Sequence, residues 1–226
     1  MRVDVGPLIF PIVLIDEDGD AVAHLGTAFP VAPGGFLTCR HVIDVAAEGT
    51  RPAIVDIEAG SRTIAITNLV FHPTLDIAYI PDALQRSKDT FWPFAPDLSL
   101  MGAHVFSLGH LEFQKNASYE IHHFGGDVVA AERATRSSAE LVLPYAMVEG
   151  MSGSPVLLDR NEVCVVGMGH GSQSRRVLAA EVVEYEDDKL RLRETVNRIV
   201  EFGLAWHGAV LRRFLDEVGV DYRIAG

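Results

Sequence analysis

The chain is a succession of short apolar runs rich in Val, Ile, Leu and Phe, several of them alternating with polar residues. Alternation with a period of two is the mark of a half-buried strand. The pattern predicts a first set of strands at 7–15, 21–31, 36–39, 52–58, 62–70 and 76–80. A second set falls at 103–109, 118–123, 127–133, 139–146, 154–158 and 163–168. Turn signals separate them: Asp18-Gly19, Pro33-Gly34-Gly35, Gly60-Ser61, Gly125-Gly126 and Asp159-Arg160-Asn161. Many short strands at this spacing predict an antiparallel sandwich or barrel, not a parallel α/β sheet. Asp82 to Leu100, with Pro93, Pro96 and several charges, reads as a linker between two similar halves.

The C-terminal end changes period. Leu192, Val196, Ile199 and Val200 form a helical stripe between Lys189 and Phe202, with Gly203 as a stop. Val210, Leu211, Phe214, Leu215 and Val218 form another, followed by Gly219. Both are expected to be helices that face the core rather than a membrane or partner.

At 226 residues and 24.6 kDa the chain is long enough for a sizeable core. With 48% apolar and 22% charged residues it is not disordered, collagen-like or coiled-coil. Acidic residues outnumber basic ones 31 to 19, so the net charge of −12 argues against nucleic-acid binding. Two cysteines, Cys39 and Cys164, are too few for a disulfide scaffold and suit a reducing compartment. No apolar run is long enough for a transmembrane helix. Arg2, the stretch from Pro7 to Ile15 and Ala21-Val22-Ala23 imitate a signal peptide. Asp4, Pro11 and Asp16-Glu17-Asp18 argue against one, so residues 7–15 are expected to be a buried strand of a cytoplasmic protein.

Three segments carry chemistry. The first is Gly26-Thr27-Ala28-Phe29 with Leu37-Thr38-Cys39-Arg40-His41-Val42. The second is Asp76-Ile77-Ala78-Tyr79, and the third is Gly150-Met151-Ser152-Gly153-Ser154-Pro155-Val156. Each places a His, an Asp or a Ser at a strand end. Competing motifs fall away. His122 and His123 are adjacent and point to opposite faces of a strand, so they cannot share one metal. Gly125-Gly126 and the glycines from Gly167 to Gly171 lack the strand–loop–helix and Lys of a phosphate loop. Neither a metal nor a cofactor is expected.

In this order, over this strand pattern, the three segments make the chain resemble the trypsin/chymotrypsin-like serine proteases, from about residue 7 to 218. The resemblance implies an all-β fold: two antiparallel six-stranded barrels (chymotrypsin-like) with a C-terminal helix. Residues 1–90 would be the first barrel and 91–226 the second, with an insertion near 171–202 and a closing helix near 208–218. It implies His41, Asp76 and Ser152 as catalytic residues, His41 taking the proton of the Ser152 hydroxyl and Asp76 fixing the His41 tautomer. The N–H groups of Gly150 and Ser152 would form the oxyanion hole. Ser154 is the rival nucleophile, but the family uses the serine before the glycine.

Departures from the family narrow the likeness. Met151 stands where the secreted digestive branch has the Asp of its zymogen switch. The chain is more similar to bacterial trypsin-like peptidases and HtrA-type protease domains, with Phe202-Gly203-Leu204-Ala205-Trp206 as the last strand and no PDZ domain expected after Gly226. The serine that supports the Asp in the digestive branch falls by pattern on Gly167. Ala146 is implied as the floor of the primary pocket, lined further by Met147, Gly167, Met168 and Gly169, with His170 just beyond. An uncharged floor implies a preference for apolar residues at the cleavage site. The expected partners are a polypeptide substrate and a regulatory protein. The expected function is peptide-bond hydrolysis through an acyl-enzyme. Its alternative is a catalytically silent fold of the same type, used as a peptide-binding or regulatory module in a bacterial complex.

Overall fold

In the computed structural model the residues described are 8–45, 48–57, 60–81, 83–84, 91–111, 120–131, 139–186 and 189–226. Seven strands form a first sheet: β1 (Phe10–Ile15), β2 (Ala21–Ala32), β3 (Gly35–Thr38), β4 (Arg51–Asp56), β5 (Arg62–Ala65), β6 (Val70–Phe71) and β7 (Ala78–Ile80). They pair antiparallel in the order β5-β4-β1-β2-β3-β7-β6. A second set makes another antiparallel sheet: β8 (His104–His110), β9 (Ile121–Asp127), β10 (Ala130–Ala131), β11 (Glu140–Leu143), β12 (Pro155–Asp159), β13 (Val163–Glu186) and β14 (Lys189–His207). Its order is β10-β11-β14-β13-β12-β8-β9. A short helix, α1 (Arg40–Ile43), follows β3, and α2 (Gly208–Glu217) follows β14.

The all-β expectation holds, with seven strands per sheet rather than six. The run 62–70 divides into β5 and β6: pairing with β4 ends at Ile66, whose N–H makes the last bond of that register to the Pro52 carbonyl. The apolar start of the chain is an interior strand: β1 lies between β2 and β4, with Ile12 opposite Gly26 on one side and Ile54 on the other. Gly125-Gly126 is not a turn. It lies inside β9, where Gly126 makes room for the Pro144 ring.

The described end of the expected linker is not loose. Trp92 and Phe94 are fully buried, and Trp92 donates its backbone N–H to Pro30 and its indole N–H to Leu8. Phe94 bridges to Val165 and Ile224, so this segment ties the first sheet to the second and to the C-terminus. Burying one such aromatic contributes roughly 1.5–3 kcal/mol. One continuous apolar cluster runs from Phe10, Phe29 and Phe36 through Phe94 to Leu211 and Phe214.

Helix α2 matches its predicted stripe: Val210, Leu211, Phe214 and Leu215 are buried. The His207 ring caps its start by accepting the Ala209 N–H. It ends in a Schellman motif, with Val220 N–H on the Leu215 carbonyl, Gly219 N–H on Asp216, and Gly219 at φ +72°.

The helix expected between Lys189 and Phe202 is instead strand. β13 and β14 pair continuously from Gly167↔His207 to Glu186↔Lys189. Their inner ends are flanked by β12 and β11, but from Ser172 and Phe202 outward, among the described residues, they pair only with each other. In this ribbon Val177, Leu178, Val196 and Ile199 stand exposed. A stripe at helical spacing chooses a helix only when one face has a core to meet, and residues 195–199 of this segment are exposed.

Candidate active site

The first wall of the site is built where β3 runs out. Thr38 ends the strand, Cys39 is buried, and the single turn of α1 sends Val42 and Ile43 inward and leaves His41 at the rim. Asp76 comes from the connection between β6 and β7. That loop is shaped by its own bonds: the His72 ring accepts the N–H groups of Thr74 and Leu75, and His72 N–H reaches the Ile77 carbonyl. Asp76 then grips His41 twice. Its Oδ1 accepts the His41 backbone N–H at 2.9 Å, and its Oδ2 lies 2.6 Å from His41 Nδ1. Burial pushes the Asp76 carboxyl up, but the hydrogen bonds from His41 outweigh it and hold the group below the usual carboxylate range. An ionised carboxylate on Nδ1 keeps a proton there and leaves Nε2 as the basic nitrogen.

The second wall is made of backbone. Residues 148–151 form a turn closed by the Met151 N–H on Val148, with Gly150 at φ +91° in the position that a type II turn reserves for glycine. Gly153 follows at φ +86°, and a Cβ there would collide with the Thr27 carbonyl and the Thr38 hydroxyl. The Gly153 N–H is held by the Gly169 carbonyl at 2.8 Å. Thr27 on β2 joins the two walls. It donates its N–H to the Ser152 carbonyl and its hydroxyl to Gly150, accepts from the His110 N–H, and offers its own carbonyl to the Thr38 hydroxyl. Among the described residues the N–H groups of Gly150 and Ser152 donate to no protein acceptor. Ser152 is half-buried, whereas Ser154 is fully buried against Gly109, out of reach of any substrate.

The structure brings His41 and Asp76 into contact and sets the Ser152 turn against the strand end that carries them. Of the predicted pocket residues it joins two. Met147 is buried with its side chain filling the space beside Gly169 and Gly203, and its N–H and carbonyl are both bonded to the Ser172 hydroxyl. Ala146 sits half-buried next to it. Gly167 shares a strand face with Gly169 but lies against Leu141 and the Trp206 backbone. Met168 faces the other way, fully buried in the large core. His170 does not join Met147 either. Sequence reasoning missed Ser172, Gly203 and the role of Thr27. Only Thr27 left a signal, as the polar residue in an otherwise apolar Gly-Thr-Ala-Phe run.

Cys39 Sγ, His41 and Asp76 offer ligand atoms within 4.8 Å of one another, but their chemistry does not suit a metal. The Cys39 thiol donates to the Gly169 carbonyl, and burial followed by the Asp76 charge pushes it well above its ordinary range. A thiol that resists ionisation is a poor ligand. Among the described residues no helix is long and apolar enough to cross a membrane.

A His–carboxylate pair thus stands just beyond the end of β3, and the glycine-shaped turn of Ser152 packs against that same strand end through Thr38 and Cys39. Residues 26–168, more than half of the chain, match the family described as trypsin-like peptidase domain, and the chain belongs to that family. Its fold is similar to that of the Rv3671c protease from M. tuberculosis in its active form, with a TM-score of 0.63 and 17% identity over 98% of this chain and 85% of that one. It is also similar to the thermostable serine protease AL20 from an extremophilic microorganism, at TM-score 0.58 and 15% identity over 94% and 97% of the two chains. The HtrA-type protease AlgW, solved with a decapeptide, aligns at TM-score 0.60 and 14% identity over 94% of this chain and 64% of its own. No curated protein matches the chain in sequence.

Proposed function

We propose that this protein is a serine endopeptidase that cleaves polypeptides through an acyl-enzyme on Ser152. The observation that carries the reading is the double grip of Asp76 on His41, 2.9 Å to the backbone N–H and 2.6 Å to Nδ1, in a chain of this family. A carboxylate spends both oxygens on one histidine where the ring must keep one tautomer and one orientation. His41 Nε2 takes the Ser152 proton as Oγ attacks the scissile carbonyl, and returns it to the leaving amine. The oxyanion forms against the N–H groups of Gly150 and Ser152. Water then hydrolyses the ester by the same route in reverse.

Met147 and Ala146 leave the primary pocket apolar and shallow, so the substrates are polypeptides with a small or medium apolar residue before the scissile bond. Both cysteines are free and buried, which agrees with a reducing, cytoplasmic setting. Fluorogenic peptides differing only at that residue test the reading. Cleavage after Ala, Val or Leu, abolished in Ser152→Ala, supports it. Faster cleavage after Arg, Lys or Glu, or cleavage that survives Ser152→Ala, overturns it.

One feature favours a second reading, a regulatory interaction module. Among the described residues, the ribbon beyond Ser172 and Phe202 leaves Val177, Leu178, Val196 and Ile199 exposed. In that reading Ser152→Ala leaves the protein's effect intact while removal of the ribbon abolishes it.

A further inference from the structure

β13 runs past the point where its neighbour stops. β12 pairs with it only as far as Met168. There the serine turn takes over the same edge: the Gly153 N–H bonds the Gly169 carbonyl at 2.8 Å, and the Gly169 N–H bonds the Ser154 carbonyl at 2.9 Å. The edge then continues from the turn into the ribbon, where, among the described residues, no strand pairs with it. An unpaired edge is a row of backbone donors and acceptors at strand spacing, ready to accept another strand. The opposite edge of the ribbon, on β14, continues instead from the pairing with β11.

The side chains along this edge have a distinct chemistry. Arg175, Arg176, Val177 and Leu178 are consecutive on β13, with Ile199 opposite Arg176 and Arg198 opposite Val177. Val177 is 50% exposed and Leu178 59%, and the three arginines are exposed too. Among the described residues none of these arginines forms an ion pair. Glu201, opposite Ser174, and Glu181 bound the stretch on either side. The chain as a whole carries a net charge of −12, so this basic stretch stands apart from the rest of it.

We propose that the β13 edge from Gly171 to Leu178 is an exosite that takes the substrate segment preceding the scissile bond as an added strand, and selects segments with acidic residues opposite Arg175 and Arg176. The direction follows from the ladders. Every strand ladder of both sheets is antiparallel, and an antiparallel guest on this edge runs its C-terminal end toward Gly169 and the serine turn. The ribbon therefore meets the part of the substrate that comes before the bond at Ser152. A strand rises about 3.3 Å per residue, so the arginines lie roughly 20 Å along the edge from Gly169, opposite residues about six to eight positions before the bond. Farther out, Val177 and Leu178 call for apolar residues. Main-chain pairing supplies affinity, and charge sets the register, because an acidic body disfavours an acidic segment elsewhere on its surface. The occupant is the substrate rather than a second copy because the edge is continuous with the nucleophile's own turn. The substrate class is thus extended, unfolded polypeptide with an acidic stretch upstream of the cut.

The kinetic part of the test rests on the peptidase reading, and the binding part does not. A labelled peptide of about 16 residues carries an apolar pair and then two glutamates ahead of a Leu–Ala bond, at the spacing the strand rise gives. Its controls have lysines for the glutamates, or a proline inside the upstream segment. Binding to the Ser152→Ala chain is followed by fluorescence anisotropy at low and high salt, alone and with Arg175→Glu and Arg176→Glu added together. The glutamate peptide is expected to bind about tenfold more tightly than either control, with the advantage over the lysine peptide fading in high salt. The charge-reversed chain is expected to prefer the lysine peptide, which also shows that it is folded. In the active chain the same order appears in KM, with kcat within twofold. Equal binding of all three peptides overturns the proposal, as does a glutamate preference that survives the charge reversal. A dimer of the parent that the charge reversal splits, seen by light scattering, overturns it too, because the edge would then belong to a second copy. The expected binding pattern in a parent chain that hydrolyses nothing would keep the strand site and overturn only the peptidase reading.

Discussion

The two walls of the site are held by opposite means. On the first-sheet side His41 and Asp76 stand at a solvent edge, fixed by side-chain hydrogen bonds to each other and by a loop that bonds to itself. On the second-sheet side the turn 150–153 is mostly buried, fixed by two glycines at positive φ, by the Gly150 and Ser152 carbonyls bonded to Thr27, and by the Gly153 N–H bonded to the Gly169 carbonyl. Chemistry and stability are therefore separable at the reacting side chains and inseparable in the backbone of the second wall. Changing a side chain at the rim disturbs proton transfer and leaves the core alone. Changing the turn moves the fold along with the nucleophile.

The sharpest way to test that contrast is at the side chains that take part in bond making. Ser152→Ala is expected to reduce kcat on a cleavable peptide by about 10⁶-fold, with a melting temperature within a few degrees of the parent. Asp76→Asn keeps the shape but allows the wrong His41 tautomer, and is expected to cost about 10⁴-fold in kcat, again with little change in stability. A large fall in melting temperature in either variant would erase the distinction between the walls.

On the second wall the expected order reverses. Gly153→Ala places a Cβ against the Thr27 carbonyl and the Thr38 hydroxyl at a φ of +86°, so both strain and overpacking act. A loss of about 3 kcal/mol in urea unfolding is expected, together with lost activity. A variant as stable as the parent would show that the turn is looser than its contacts imply.

Acid tests the same wall from below. His110, whose N–H bonds Thr27, has its ring pKa lowered to about 4, first by burial, which its hydrogen bond to Ile9 only partly offsets. The unfolded ring titrates near 6.5, so the unfolded chain binds a proton that the folded chain refuses between these values. Stability is fully present above about pH 6.5 and falls as pH drops toward 4, by about 3 kcal/mol from this residue. Asp76, held low, adds its own loss as pH falls from the ordinary carboxylate range through its depressed value. His110→Gln flattening the pH dependence of unfolding between pH 6.5 and 4 is the expected outcome, and an unchanged slope would contradict it.

The smallest effect belongs to the ribbon. Replacing residues 175–200 by a short turn removes strand pairs that, among the described residues, are made only between β13 and β14, and is expected to change the stability of the remainder by less than about 1 kcal/mol. A collapse of stability would mean the ribbon supports the second sheet.

What the sequence disclosed follows the same division. Strands with one or two buried faces, such as β1 and β12, announce themselves by composition, and so does α2 through its capped stripe. The His41–Asp76 contact and the glycine turn at Ser152 were legible because each stands in a short run whose neighbours are dictated by local geometry, Thr38 before one and two glycines around another. The ribbon was not legible, because Val196, Ile199 and Val200 carry a helical spacing that no core selects. His170 and Glu140, whose side-chain atoms lie 3.0 Å apart, were not legible as partners either. They lie thirty positions apart, and His170 stands in a bulge, which a slip of register between Gly169 and Gly171 creates and no residue pattern announces. Met168 was misplaced for the simplest reason: alternation along β13 gives Gly169 to the pocket and its neighbour to the core.

The central claim is that Ser152 is activated by the His41–Asp76 pair. Labelling with a fluorophosphonate, read by intact mass and peptide mapping, tests it without knowledge of the substrate. One adduct on Ser152 in the parent, absent in Ser152→Ala and strongly slowed in His41→Ala and Asp76→Asn, is the predicted result. No labelling of the folded parent, an adduct on Ser154, or labelling of Ser152 that is indifferent to His41 would contradict it.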